Sequence, residues 1–174
     1  MKVIILTWLM TLLFSFGSEE GSTEGWMTVD DRVMGGVSFS KLVESETFMR
    51  WEGTMSLESN GGFASVRSPW ESGQIGKASS VTMRVRGSAG TFALRLATSS
   101  RYYEPIHQVG FEVEEEEWKT ITWAMDDFRT TVMGRPTGGS FTKENTPTVG
   151  RIGIMKNDGN PGAFWLEVDF IRFD

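Results

Sequence analysis

Apolar residues recur at every second position through much of this chain. Val81, Met83 and Val85 alternate with Thr82, Arg84 and Arg86, and Phe92, Leu94 and Leu96 with Ala93, Arg95 and Ala97. Val109, Phe111 and Val113 flank Gly110 and Glu112, while Phe164, Leu166, Val168 and Phe170 flank Trp165, Glu167 and Asp169. A period of two sends alternate side chains to opposite faces, so each segment predicts a half-buried strand. Shorter stretches at 37–43, 47–52, 54–58, 63–67, 118–123 and 151–155 predict further strands. Clusters of Gly, Asn, Ser and Pro separate them, and no apolar stripe of helical period follows residue 17. About ten short strands with turns between them indicate an all-β fold, a β-sandwich or jelly roll.

The first residues break this pattern. After Lys2, Val3 to Phe16 is an apolar run spaced by Thr7, Thr11 and Ser15. One positive residue before a run of this size predicts a secretory signal peptide, with Ser15 and Gly17 as the small residues of a cleavage site after Gly17. A buried helix would carry a polar face, and a mitochondrial transit peptide would be rich in Arg, which this segment lacks. The run is shorter than the roughly 20 residues that span a bilayer, so no stable membrane span is expected. The expected organisation is a signal at 1–17, a small polar leader at 18–25 and one β-sandwich domain at 26–174. The expected location is outside the cytoplasm, periplasmic or extracellular.

Composition narrows the chemistry. The 174 residues include 17 Lys and Arg against 23 Asp and Glu, a net charge of −6, with one His and no Cys. Absence of Cys removes disulfides, thiol nucleophiles and cysteine metal sites, and one His cannot build a multi-histidine centre. An acidic chain lacks the basic face of a nucleic-acid binder. His107 shares the parity of Val109 and Phe111, which predicts an inward, structural histidine rather than a base. No G-x-S-x-G, H-E-x-x-H, P-loop or dinucleotide glycine pattern occurs. Glu114 to Glu117 reads as a solvated hairpin turn, since four adjacent like charges repel in a dry site. Asp30-Asp31 could ligate Ca²⁺ with backbone carbonyls, but a turn whose carboxylates bond the backbone is simpler. No catalytic residue, metal or cofactor is therefore expected.

The paired glycines carry the remaining signal. Gly35-Gly36 within Val33-Met34-Gly35-Gly36-Val37-Ser38 marks a bulge or close backbone approach. Asn60-Gly61, ahead of Gly62 and Phe63, is a tight hairpin signal that would join strand 54–58 to strand 63–67. Arg67 shares parity with Phe63 and Ser65, which predicts an inward side chain with an acidic partner such as Asp30 or Asp31.

Trp26, Asp30-Asp31-Arg32-Val33-Met34-Gly35-Gly36-Val37-Ser38, Gly53 and Asn60-Gly61-Gly62-Phe63-Ala64-Ser65-Val66-Arg67 together resemble the complex I intermediate-associated protein family. Val85-Arg86-Gly87, Trp118, Phe128, Gly134-Arg135, Ile152-Gly153-Ile154 and Gly162 to Ile171 continue the likeness over about residues 26 to 172. Ser88 stands where the family often has an acidic residue. The resemblance implies a galactose-binding-like jelly roll and a non-enzymatic, chaperone-like role, mitochondrial members being assembly factors for NADH:ubiquinone oxidoreductase. Two partners follow: a respiratory-complex assembly intermediate by resemblance, or a glycan if the chain is an exported carbohydrate-binding module. Either would use exposed aromatic rings, for which Trp70, Tyr102 and Tyr103 are the candidates.

Overall fold

Alternating strands need partners, and in this chain the partners come mostly from far away in sequence. The computed structural model describes residues 12–16, 23–43, 45–70, 73–142 and 145–174. Among them the strands are β1 (Leu12–Ser15), β2 (Met27–Thr28), β3 (Phe39–Val43), β4 (Met49–Met55), β5 (Ala64–Arg67), β6 (Ser80–Gly87) and β7 (Gly90–Ala97). They continue with β8 (Ile106–Val113), β9 (Lys119–Ala124), β10 (Arg129–Val132), β11 (Arg135–Ser140), β12 (Arg151–Lys156) and β13 (Gly162–Phe173). The helical elements among the described residues are short 3-10 turns, such as Asp31–Met34. None is long and apolar enough to cross a membrane.

The strands form two antiparallel sheets. One runs β3-β4-β13-β6-β9, with β1 also paired to β13, and the other runs β11-β10-β8-β7-β12-β5-β2. The sheets face each other across one core, the arrangement of a β-sandwich. Met49, Trp51 and Met55 of β4, Val81, Met83 and Val85 of β6, and Leu166 and Val168 of β13 fill it from one side. Val66, Phe92, Leu94, Leu96, Phe111, Ile152 and Ile154 fill it from the other. The alternating segments behave as their parity requires up to Val168, where a bulge in β13 turns the expected inward Phe170 off the core and buries Ile171 and Phe173 instead. His107, on the same face of β8 as Phe111, is buried against the Phe141 ring and shares a 3.0 Å hydrogen bond between Nδ1 and the Thr130 hydroxyl.

Several expectations need correction. The stretches 47–52 and 54–58 are one strand, β4. The hairpin expected across Asn60-Gly61 does not form, because β4 pairs with β3 and β13 while β5 pairs with β12 and β2 in the other sheet. Residues 56–63 are a crossing between sheets. Glu114 to Glu117 are exposed as expected, but they too link the sheets, since β8 and β9 lie in different ones. The hairpin β10–β11 turns through Met133 and Gly134, both at positive φ, without the usual Asn-Gly signal.

The six-stranded sheet also takes in part of the N-terminal apolar run. Leu12 to Ser15 pair with Phe173 to Phe170, beside β13 where β4 ends. Phe16 is buried, its N–H bonds the Asp169 carbonyl, and its ring meets Trp26 edge-on at 5.5 Å. Residues 1–11 and 17–22 lie outside the described residues, and with them most of the expected signal and leader.

Candidate functional site

Two regions stand out, and β5 connects them. The first is built around Asp31. Ser38 donates its N–H (2.9 Å) and its hydroxyl to this carboxylate, and the N–H groups of Gly62 and Phe63 donate at 2.7 and 3.3 Å. Asp30 accepts the Ser40 N–H (2.7 Å) and hydroxyl (2.6 Å). Burial alone would raise the pKa of Asp31, but these donors outweigh it and hold it below the ordinary carboxylate value. Both carboxylates face N–H and O–H donors, as a backbone-bonding turn requires and a cation site does not. Among the described residues no group of three metal-binding side chains forms.

Both glycine pairs converge on Asp31. A Cβ on Gly36 would run into its carboxylate, and one on Gly61 would come within 2.6 Å of it and 2.9 Å of the Ser56 carbonyl. Gly61 itself has φ −69°, so close approach and not a left-handed backbone excludes side chains there. The positive φ values fall on Ser59, Asn60 and Gly62.

This knot pushes apolar residues outward. Val33 and Met34 are 70% and 71% exposed, and Val37 and Phe39 about half. Val33 and Phe39 line one hollow with Thr28, Asp30 and Ser40. Exposed Met27 lies nearby on β2, whose Thr28 hydroxyl donates to the Ser40 carbonyl of β3 at 3.3 Å. β2 and β3 are each the outermost strand of a sheet.

The second region lies on the outer face of the seven-stranded sheet. Register aligns Arg67 of β5, Gly153 of β12 and Arg95 of β7 in one row, with Arg151 opposite Ala97 two residues along. These arginines, Trp70 and Tyr102 line a half-open cleft of about 90 Å³. The Arg151 guanidinium lies 5.4 Å from the Trp70 ring centre, and Trp70 in turn covers Gly150. Tyr103 stands outside the cleft, edge-on to Tyr102 at 5.4 Å. The structure therefore brings together Trp70 and Tyr102 of the three expected rings.

Arg67 corrects its expectation. It faces away from the core, its Nε donates to the Ser65 hydroxyl at 3.2 Å, and the carboxylates of Asp30 and Asp31 are occupied by serines and backbone. Burial, reinforced by Arg151, lowers its pKa. Burial, reinforced by Arg67, lowers that of Arg95 to about 10, leaving it cationic at neutral pH. Arg95 and Arg151 escaped the sequence reading because each is an ordinary polar position of an alternating strand. Their juxtaposition comes from β12 inserting between β5 and β7.

Comparisons with known proteins agree with the sandwich. A family 11 carbohydrate-binding module from Clostridium thermocellum, in complex with a beta-1,3-1,4-mixed-linked tetrasaccharide, is similar with a TM-score of 0.66 at 18% identity, over 94% of each chain. The family 11 module of the cellulosomal cellulase Lic26A-Cel5E of that organism is similar at 0.66 and 18%, over 91% of this chain and 92% of that one. The K1 cleaved adhesin domain of Lys-gingipain from Porphyromonas gingivalis W83 is similar at 0.50 and 11%, over 95% and 98%. At these identities the likeness is one of fold. No curated protein matches the sequence. The model of complex I intermediate-associated protein 30 (CIA30) matches residues 14–168, so from β1 onward this chain belongs to the CIA30 family.

Proposed function

We propose that the protein is a non-catalytic binding module that engages a protein partner through the apolar edge formed by β2, the Asp31–Met34 turn and β3. The observation that carries this reading is the exposure of Val33, Met34, Val37 and Phe39 on a loop that six hydrogen bonds to Asp30 and Asp31 hold in place. Large apolar side chains held rigidly in water are a standing cost, and a partner that covers them recovers it. The family is named for association with a complex I intermediate, which supports a respiratory-complex assembly intermediate as the partner class. The non-catalytic part is supported by His107, the chain's single histidine, which faces the core and is hydrogen-bonded to Thr130.

A photo-crosslinker placed at Met34 in the native host tests it. The expected result is one discrete protein adduct that disappears with Val33→Asp and Phe39→Asp. A second reading, an exported carbohydrate-binding module, is favoured by Trp70 and Tyr102 at one cleft and by the family 11 likeness. It would replace the first if Met34 yields no adduct while the beta-1,3-1,4-mixed-linked tetrasaccharide binds saturably and Trp70→Ala abolishes that binding.

A further inference from the structure

The outer faces of the two sheets treat arginine in opposite ways. On the six-stranded sheet, Arg50 meets Glu52 and Glu167 at 2.9 and 2.6 Å, Arg86 meets Glu167 at 2.6 Å, and Arg84 meets Asp169 at 2.6 Å. On the seven-stranded sheet, Arg67, Arg95 and Arg151 have no carboxylate partner among the described residues. Arg95 Nη1 reaches only the Met155 sulfur, at 3.2 Å. The Nε groups of Arg95 and Arg151 are buried without a hydrogen-bond partner among the described residues. A chain with 23 acidic residues does not lack carboxylates. Of the described ones it pairs none with these three, and Glu104 is taken at 3.8 Å by Arg101, which lines the cleft.

Like charges brought together and partly desolvated oppose folding unless something compensates them. Shape adds to this. Gly153 stands between Arg67 and Arg95, and a Cβ there would come within 3.5 Å of the Arg67 side chain and 3.0 Å of the Val66 carbonyl. The gap between two guanidinium arms is thus kept open. Volume sets the scale of the guest: about 90 Å³ is well below the roughly 300–1,000 Å³ of pockets that enclose whole small molecules. The cleft admits a head group.

We propose that Arg67, Arg95 and Arg151 form an oxyanion site that holds the head group of a phosphate monoester, a dianion, or of a singly charged sulfate ester, with Trp70 and Tyr102 at its mouth beside the rest of the ligand. Guanidinium forks match such oxygens bidentately, and three cations balance a dianion better than a single carboxylate. A nucleic-acid backbone is a poorer fit, because a chain of net charge −6 lacks the overall positive balance that such long polyanions draw on. The site is independent of the apolar edge and does not rest on the protein-partner reading.

The test uses the full chain and inorganic phosphate at constant ionic strength, with chloride and acetate as controls. Phosphate is expected to raise the melting temperature saturably, as a ligand of the native state must. Arg95→Gln and Arg151→Gln should lose that response, while Arg84→Gln on the other sheet keeps it. The arginine Nε–Hε resonances of Arg95 and Arg151 should move with phosphate in the unaltered chain, a readout that needs no variant. Glucose 6-phosphate against glucose 6-sulfate then separates the two ester classes, and free glucose should be inert. The proposal is overturned if chloride or acetate matches phosphate, if Arg95→Gln and Arg151→Gln respond like the unaltered chain, or if those two resonances stay still.

Discussion

Asp31 shows how one side chain can organise two distant segments. Its oxygens accept donors from Ser38 on one loop and from Gly62 and Phe63 on another, in a site that is almost wholly closed to water. Asparagine has nearly the same shape, but its amide nitrogen would face N–H groups that need an acceptor. Asp31→Asn is therefore expected to cost about 2–3 kcal/mol, the range for hydrogen bonds to a charged group left unmade. Chemical denaturation measures it. Gly61 carries a related lesson. The Asn-Gly pair reads as a turn, yet what excludes a side chain at Gly61 is the carboxylate of a residue thirty positions earlier. Local propensity identified the place and could not supply the reason.

At the scale of elements, alternation located strands well and their neighbours poorly. β6, β7, β8 and β13 lie where the apolar period places them, because burial of one face acts within a strand. Sheet membership depends on pairing across the chain, which is why the 54–58 to 63–67 hairpin and the arginine row were both illegible. β1 is the sharper case. A run rich in Leu and Phe satisfies the requirements of a signal segment and of a short strand alike, and the two uses exclude each other once cleavage follows Gly17. Phe16→Ala is expected to destabilise the full chain by about 3 kcal/mol, as loss of a buried aromatic does. A chain starting at Ser18 should lose at least as much. If the native protein begins at Ser18 and unfolds at the same denaturant concentration as the full chain, β1 contributes nothing and export with cleavage stands.

The whole molecule should respond to acid in two stages. Burial lowers the pKa of His107 below 6.5, so the unfolded chain takes up this proton first. Stability from the neutral ring is complete above that value and is lost as the pH falls through the folded pKa. Asp31, despite burial, sits below 3.8 through its donors, as does Asp158 through Lys156, and their share is present above 3.8 and lost below it. Melting temperature against pH should therefore be flat near neutrality, dip below about 6.5 and fall steeply below about 4. His107→Gln should flatten the first step, and Asp31→Asn should shrink the second. A profile unchanged by both would show that other groups govern acid unfolding.

β13 has a further consequence, one of timing. It is the last of the described strands to be synthesised, yet in the six-stranded sheet it pairs with β4, β6 and β1. Until Gly162 to Phe173 leave the ribosome, the ribbons β3–β4 and β6–β9 have no common partner and their apolar faces stay uncovered. Contacts this distant in sequence close slowly. A nascent chain that stalls before Gly162 is therefore a target for chaperones and proteases, and this sandwich forms only once β13 has emerged.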